Sequence, residues 1–60
     1  MSITEAKKLI AEKVGWNVTD VFYTCTDKDY FDYYLVYKNH RIKALVAIDS
    51  LNGLVSGIWN

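Results

Sequence analysis

The chain has 60 residues, of which 52% are hydrophobic, and its aromatic residues are two Trp, five Tyr and two Phe. Seven Lys and Arg residues balance seven Asp and Glu residues, so the net charge is zero. This composition excludes a disordered chain, and the length excludes more than one domain. A chain with zero net charge lacks the electrostatic attraction on which nonspecific nucleic-acid binding depends. It also lacks the acidic excess that a DNA mimic would need.

Residues 2–15 carry the signals of one amphipathic helix. Ser2 and Glu5 fit the S-x-x-E capping box at a helix start, and Gly15 fits the left-handed cap at a helix end. Apolar residues recur between them at helical spacing, at positions 3, 6, 9, 10 and 14. Trp16 is expected to fold back over the helix end.

Four strands follow, rich in β-branched and aromatic residues, at 18–26, 30–38, 41–48 and 54–59. Polar turns separate them at 27–29, 39–40 and 49–53. The prediction is a single α+β domain over residues 1–60, in which one N-terminal helix packs on a four-stranded antiparallel meander sheet to give two layers.

The register around Asn39 and His40 predicts two unequal sheet faces. Leu35 would pair with Ala44 and Tyr33 with Val46, which gives a fully apolar face for the helix to cover. The second face would remain uncovered, with an apolar centre of Phe22, Tyr34, Val36, Leu45, Ala47, Val55 and Trp59 and a rim of Asp20, Asp32, Lys43 and Asp49.

An aromatic centre inside a charged rim is the usual composition of a protein interface. The leading hypothesis is a non-enzymatic protein-binding module, an inhibitor or regulator of a larger protein or a homodimer. The alternative to an interface is a strongly twisted sheet whose tyrosines lie along the surface with their hydroxyl groups in contact with water. The predicted partner-binding residues are Phe22, Tyr34, Val36, Lys43, Leu45, Val55 and Trp59.

Lys38, His40 and Arg41, with Lys43, form a basic tip on the second hairpin. Such a tip meets an acidic patch or a phosphate, or it is a charged edge that prevents aggregation. Together with tyrosine stacking it also gives the alternative function, a single-stranded nucleic-acid-binding module. Zero net charge makes that alternative the weaker hypothesis.

No constellation in the chain predicts catalysis, a metal or a cofactor. His40 is the only histidine, and Asp27, Asp29 and Asp32 lack the Gly and the distal Glu of a calcium loop. Cys25 is the only cysteine and is expected to be a small buried strand residue rather than a reactive thiol.

The C-terminal part of the chain has a strand that ends in an Asp, then a turn that ends in a Gly, then a short strand. The residues that carry this pattern are Ala47, Ile48, Asp49, Gly53 and Val55. With the helix and the tyrosine-rich strand before it, this pattern resembles the PepSY domain over residues 5–59, although the family often has Thr at position 52, where this chain has Asn. The resemblance implies a non-catalytic module that binds or restrains another protein. PepSY modules usually lie outside the cytoplasm. Because no secretion signal precedes the helix, the expected location is cytoplasmic, or secreted if the chain is a domain of a longer protein.

Overall fold

The computed structural model describes all residues, 1–60, and confirms the predicted fold class. One helix is followed by four strands, which form an open antiparallel sheet in the order β1-β2-β3-β4. The elements are α1 (Ile3–Val14), β1 (Asp20–Thr26), β2 (Phe31–Lys38), β3 (Arg41–Asp49) and β4 (Val55–Trp59).

Both ends of α1 are fixed by residues that the sequence predicts. Ser2 is extended, and its Oγ accepts a hydrogen bond from the Glu5 backbone N–H at 3.2 Å and donates one to Glu5 Oε1 at 3.1 Å. Gly15 ends the helix at φ 75°, a left-handed conformation that glycine adopts at little cost. With 12 residues, α1 is too short to cross a membrane, and it is the only helix.

Each of the three strand pairs contains one β-bulge. The extra residues are Thr24 in β1, Lys43 in β3 and Ser56 in β4, and all three are polar and exposed. A bulge bends its strand and increases the local twist. Because one residue is skipped at each bulge, the pairing beyond it is shifted by one residue, and the side chains there face the opposite way from those of an unbulged strand.

The bulge at Lys43 corrects the predicted faces of β2. Val36 pairs with Ala44 and Tyr34 with Val46, so the predicted pairs of Leu35 with Ala44 and Tyr33 with Val46 are wrong. A one-residue shift of register turns every side chain of a strand to the opposite face. Tyr34 is consequently 3% exposed and Val36 0% exposed, both beneath the helix rather than on an uncovered face.

The core lies between α1 and one face of the sheet. Ala6 and Ile10 are the buried residues of the helix, and Trp16 packs against the edge of the core. Val55 also packs against the core, because the bulge at Ser56 pairs it with Ile48. The buried residues that the helix and the sheet bring together are Ala6, Ile10, Val18, Val21, Tyr34, Val36, Ala44, Val46 and Ile48.

Candidate functional site

The sheet face opposite α1 is not covered by any element of the chain. We call it the open face and define it by its apolar side chains, which are Phe22, Phe31, Tyr33, Leu35, Tyr37, Leu45, Ala47 and Trp59. Phe22 and Trp59 are each 54% exposed. An apolar surface of this kind needs an explanation beyond the fold.

Four apolar side chains cross the open face in a single row. Phe22 of β1 pairs with Leu35 of β2, Leu35 pairs with Leu45 of β3, and Leu45 pairs with Trp59 of β4. We call this set the transverse row. Since paired residues of neighbouring strands point to the same face, the row forms a continuous apolar band that crosses β2 and β3 near their middle and ends at Trp59, the last residue of β4.

Two aromatic side chains cover small residues on one side of the transverse row. The rings of Tyr33 and Trp59 lie 6.5 Å apart between centroids, at 31° to each other. The indole lies directly over Gly57, where an added Cβ would be 2.6 Å from Cη2. Ala47 pairs with both Tyr33 and Gly57 and is only 3% exposed, although it faces away from the helix. The two rings therefore form an aromatic cover over Ala47 and Gly57.

A second aromatic pair lies nearer the basic tip. The rings of Phe22 and Tyr37 meet edge to face, with centroids 5.3 Å apart and planes at 71°. Ile42, which pairs with Tyr37, adds another exposed apolar side chain at this end. The aromatic surface thus extends to the β2–β3 hairpin.

The β2–β3 hairpin turns through Asn39 at φ 52° and His40 at φ 60°, the two left-handed residues of a type I′ turn. The His40 N–H donates to Thr19 Oγ1 at 3.1 Å, and the His40 ring nitrogen Nδ1 lies 3.0 Å from Asp20 Oδ2. This contact is the only ion pair in the structure when His40 is protonated, and it is exposed. Asp20, predicted as a rim residue, therefore holds the tip against β1.

The remaining cations of the tip have no acidic partner in the chain. Lys38, Arg41 and Lys43 are all exposed, and together with Asn39 and Ile42 they line a shallow groove. The predicted cluster of Lys38, Arg41 and Lys43 is thus present at one end of the sheet. His40 shares that end, but its ring is directed to Asp20.

Acidic residues occupy the opposite end of the sheet, where Asp27 organises the β1–β2 turn. Its Oδ1 accepts hydrogen bonds from the N–H groups of Asp29 at 2.9 Å and Phe31 at 3.1 Å, and its Oδ2 accepts from the Tyr33 hydroxyl at 2.7 Å. The bonds from Phe31, Tyr33 and Asp29 lower the pKa of Asp27, and the bond to Asp27 raises the pKa of the Tyr33 hydroxyl. Asp27 therefore positions one ring of the open face.

We expect acid to destabilise the protein partly through Asp27. Because its folded pKa lies below the ordinary value of 3.8, its ionised form stabilises the fold above that pH, and this contribution is lost as the pH falls through the folded pKa. Asp27→Asn should be less stable than the wild type at pH 6 and should lose less stability between pH 5 and pH 2. Urea unfolding across this range measures both slopes.

Asp29→Asn is the control, since the Asp29 side chain makes no hydrogen bond and only its backbone N–H contacts Asp27. Its stability should follow the wild type at every pH. Equal acid slopes for the wild type and Asp27→Asn would contradict the role given to this carboxylate.

The other predicted rim residues separate onto different faces. Asp49 pairs with Phe31 at the acidic end of the open face, and its Oδ1 accepts from the Leu51 N–H at 2.8 Å. Asp32 lies on the helix side, where its Oδ1 accepts from the Thr26 hydroxyl at 2.5 Å. Lys43 is the bulged residue of β3.

A small groove beside the start of α1 lies on the helix side of the sheet and includes Asp32. It has a volume of about 320 Å³ and is lined by Met1, Ile3, Tyr23, Thr26, Asp32 and Tyr34. Burial, followed by the nearby Asp32 and Tyr23, raises the pKa of Tyr34. Tyr34 therefore belongs to the packing beneath the helix.

Cys25 is exposed, contrary to the prediction that it is buried. The bulge at Thr24 pairs it with Tyr33 and so turns it away from the helix, on a strand at the edge of the sheet. No group of three His, Cys, Asp or Glu side chains in the structure could hold a metal ion.

The structure therefore places three predicted partner-binding residues, Phe22, Leu45 and Trp59, together on the open face. Tyr34, Val36 and Val55 lie on the opposite side. On β2 the open face is instead formed by Tyr33, Leu35 and Tyr37, which the sequence interpretation had placed under the helix. One signal was available: Lys43 interrupts an aliphatic run, as a bulged residue does.

Comparison of the chain with models of protein families, with curated proteins and with solved structures gives no match. The open face is accordingly interpreted from its geometry. Its distinctive features are the transverse row, the aromatic cover and the opposite charges at its two ends.

Proposed function

We propose that this chain is a non-enzymatic protein-binding module that contacts another protein, or a second copy of itself, through the open face. The observation that carries this proposal is the transverse row, in which Phe22, Leu35, Leu45 and Trp59 cross all four strands with no element above them. Burying such a row against a partner would remove apolar area from water, which is the main favourable term in protein association.

The composition of the open face suits binding. Trp and Tyr anchor interfaces often, because they present a large area at a low cost in conformational entropy. Trp59 is already held over Gly57 and beside Tyr33, so little of its freedom remains to be lost on binding. Charged residues at both ends of the sheet supply the polar rim.

A module of this kind would act by occupying a surface of its partner. Inhibition or regulation of a larger protein is the form of activity that we propose, because a rigid sheet face can block or hold a complementary surface. The resemblance to PepSY domains implies the same class of function.

The proposal predicts that Leu45→Gln weakens binding at least about tenfold, because a polar amide would then lie unpaired at the centre of the interface. Leu51→Gln is the matched control, since Leu51 lies in the exposed β3–β4 turn and is not part of the transverse row. Both changes leave the net charge at zero. Self-association is measured by sedimentation over a concentration series, and partner binding by parallel pull-downs with the three proteins as bait.

Proteins that are captured by the wild type and by Leu51→Gln, but not by Leu45→Gln, would support partner binding through the open face. The same applies to a dimer that only Leu45→Gln weakens. If a folded Leu45→Gln associated and captured partners as the wild type does, the assignment of binding to this face would be wrong.

One observation favours a second candidate function, the binding of single-stranded nucleic acid. The Phe22 and Tyr37 rings lie at the end of the open face nearest the β2–β3 hairpin. That hairpin carries Lys38, Arg41 and Lys43, none of which has an ion-pair partner. Bases stack on such rings while cations contact the phosphates. The two functions differ in their salt dependence, since phosphate contacts weaken steeply with added salt and apolar contacts do not.

A further inference from the structure

We infer that the partner of the open face is a second copy of the chain, packed face to face. The two copies are related by a twofold axis that runs across the strands, so each strand is antiparallel to the same strand of the other copy. This inference rests on the proposed function, because it uses the same face. It adds the identity of the partner and the orientation of the pair, and both follow from where the charges lie.

The charges of the sheet are separated along its length. Lys38, Arg41 and Lys43 lie at the β2–β3 hairpin, without acidic partners. The turns at the other end carry Asp27, Asp29 and Asp49, with Lys28 as the one cation among them, so anions are in excess there. Because cations are in excess at one end of the strands and anions at the other, while the net charge is zero, the sheet is a dipole along its strands.

When the strands of two identical sheets are aligned with each other, a twofold axis can stack the sheets in two ways. An axis parallel to the strands places the basic tip over the partner's basic tip. An axis across the strands reverses the partner and places each basic tip over an acidic end. Like charges in contact are unfavourable and opposite charges favourable, so the charge distribution selects the second arrangement.

The same axis suits the transverse row. A rotation about an axis across the strands keeps β1 over β1 and β4 over β4. Because Leu35 and Leu45 lie near the middle of β2 and β3, they would then meet the same residues of the other copy. Phe22 and Trp59 at the two edges would likewise meet their own copies, which makes the contact self-complementary, as an isologous interface must be.

The size of the face indicates a weak dimer. The two longest dimensions of the molecule, 31 and 18 Å, correspond to a contact of about 550 Å² per copy, near the low end for specific interfaces. We therefore expect a micromolar or weaker dissociation constant. The apolar row would supply most of the affinity, and the exposed charges would set the orientation and make the affinity decrease with salt.

Charge reversal at each end tests this arrangement. The tip variant carries Arg41→Glu with Lys43→Glu, and the turn variant carries Asp29→Lys with Leu51→Lys. None of these four side chains makes a hydrogen bond or an ion pair within the chain, and all are exposed, so both variants should fold. Circular dichroism checks this before binding is measured by sedimentation at low salt.

Each variant alone should dimerise at least about tenfold more weakly than the wild type, because like charges would then meet at both ends. An equimolar mixture of the two should restore association as a heterodimer, since each reversed end would face its complement. Raising the salt concentration should bring the homodimers of both variants towards the wild type.

Two results would overturn the inference. If the tip variant alone dimerised as the wild type does, the copies would not be antiparallel, although Leu45→Gln could still show that the open face binds. If the wild type stayed monomeric up to about 1 mM, a second copy would not be the partner. The paired pull-downs with Leu45→Gln and Leu51→Gln would then decide the proposed function separately.

Discussion

Val36→Asp should unfold the protein, whereas Leu35→Asp should leave it folded. Val36 is 0% exposed and lies in the core beneath α1, paired with Val21 and Ala44. Burying an unpaired carboxylate costs several kcal/mol, which approaches the whole stability of about 3–9 kcal/mol expected for a 60-residue domain. Leu35 is half-buried on the open face, where a carboxylate can reach water.

Thermal unfolding followed by far-ultraviolet circular dichroism distinguishes the two variants. Val36→Asp should show no cooperative transition, while Leu35→Asp should melt cooperatively at a reduced temperature. The register that the sequence alone predicts gives the opposite result, because it places Leu35 under the helix and Val36 on the uncovered face. A folded Val36→Asp with an unfolded Leu35→Asp would therefore show that the bulge at Lys43 is misplaced.

The parts of the fold that the sequence predicts are those set by local interactions. Ser2 and Glu5 act within the first turn of α1, and Gly15 acts at its last turn. Their residue types alone therefore determine where the helix begins and ends. The four strands and their meander order follow in the same way from short turns between β-rich segments. Both predictions are confirmed by the structure.

The faces of the sheet depend on information that residue types do not carry. A bulge changes the pairing by one residue while leaving the composition of both strands unchanged. The faces of β3 beyond Lys43 were predicted correctly, because Ala44 and Val46 are covered and Leu45 lies on the open face. β2 was inverted along its whole length, and that error moved Tyr34 and Val36 into the proposed site. The bulges at Thr24 and Ser56 misplaced only Cys25 and Val55, beyond each bulge.

The two ends of the open face were predicted to different degrees. The basic tip is local in sequence, so its position at the β2–β3 hairpin followed directly from the turn at Asn39. The contact between His40 and Asp20 joins residues 20 positions apart and depends on how β1 pairs with β2. The bonds from Phe31 and Tyr33 to Asp27 depend on the conformation of the turn.

Gly57→Val should remove the aromatic cover from the open face without unfolding the protein. A Cβ at this position would lie 2.6 Å from Trp59 Cη2 and 3.1 Å from two neighbouring ring carbons, so the indole cannot keep its place. Because Trp59 is half exposed, it can swing away into water. The lost ring contact is worth about 1 kcal/mol and is offset in part by the better strand propensity of valine.

The methyl group of Ala47 reports this change. It lies between Tyr33 and Gly57 in the register, beneath the two rings, so its proton resonance should be shifted upfield by ring currents in the wild type. In Gly57→Val the resonance should move downfield, to the position it takes in Trp59→Leu. Ser56→Val, at the neighbouring exposed bulge, should leave it unchanged. An unchanged Ala47 resonance in Gly57→Val would mean that Trp59 does not rest on Gly57, and the rigid anchor on which the binding proposal relies would be lost with it.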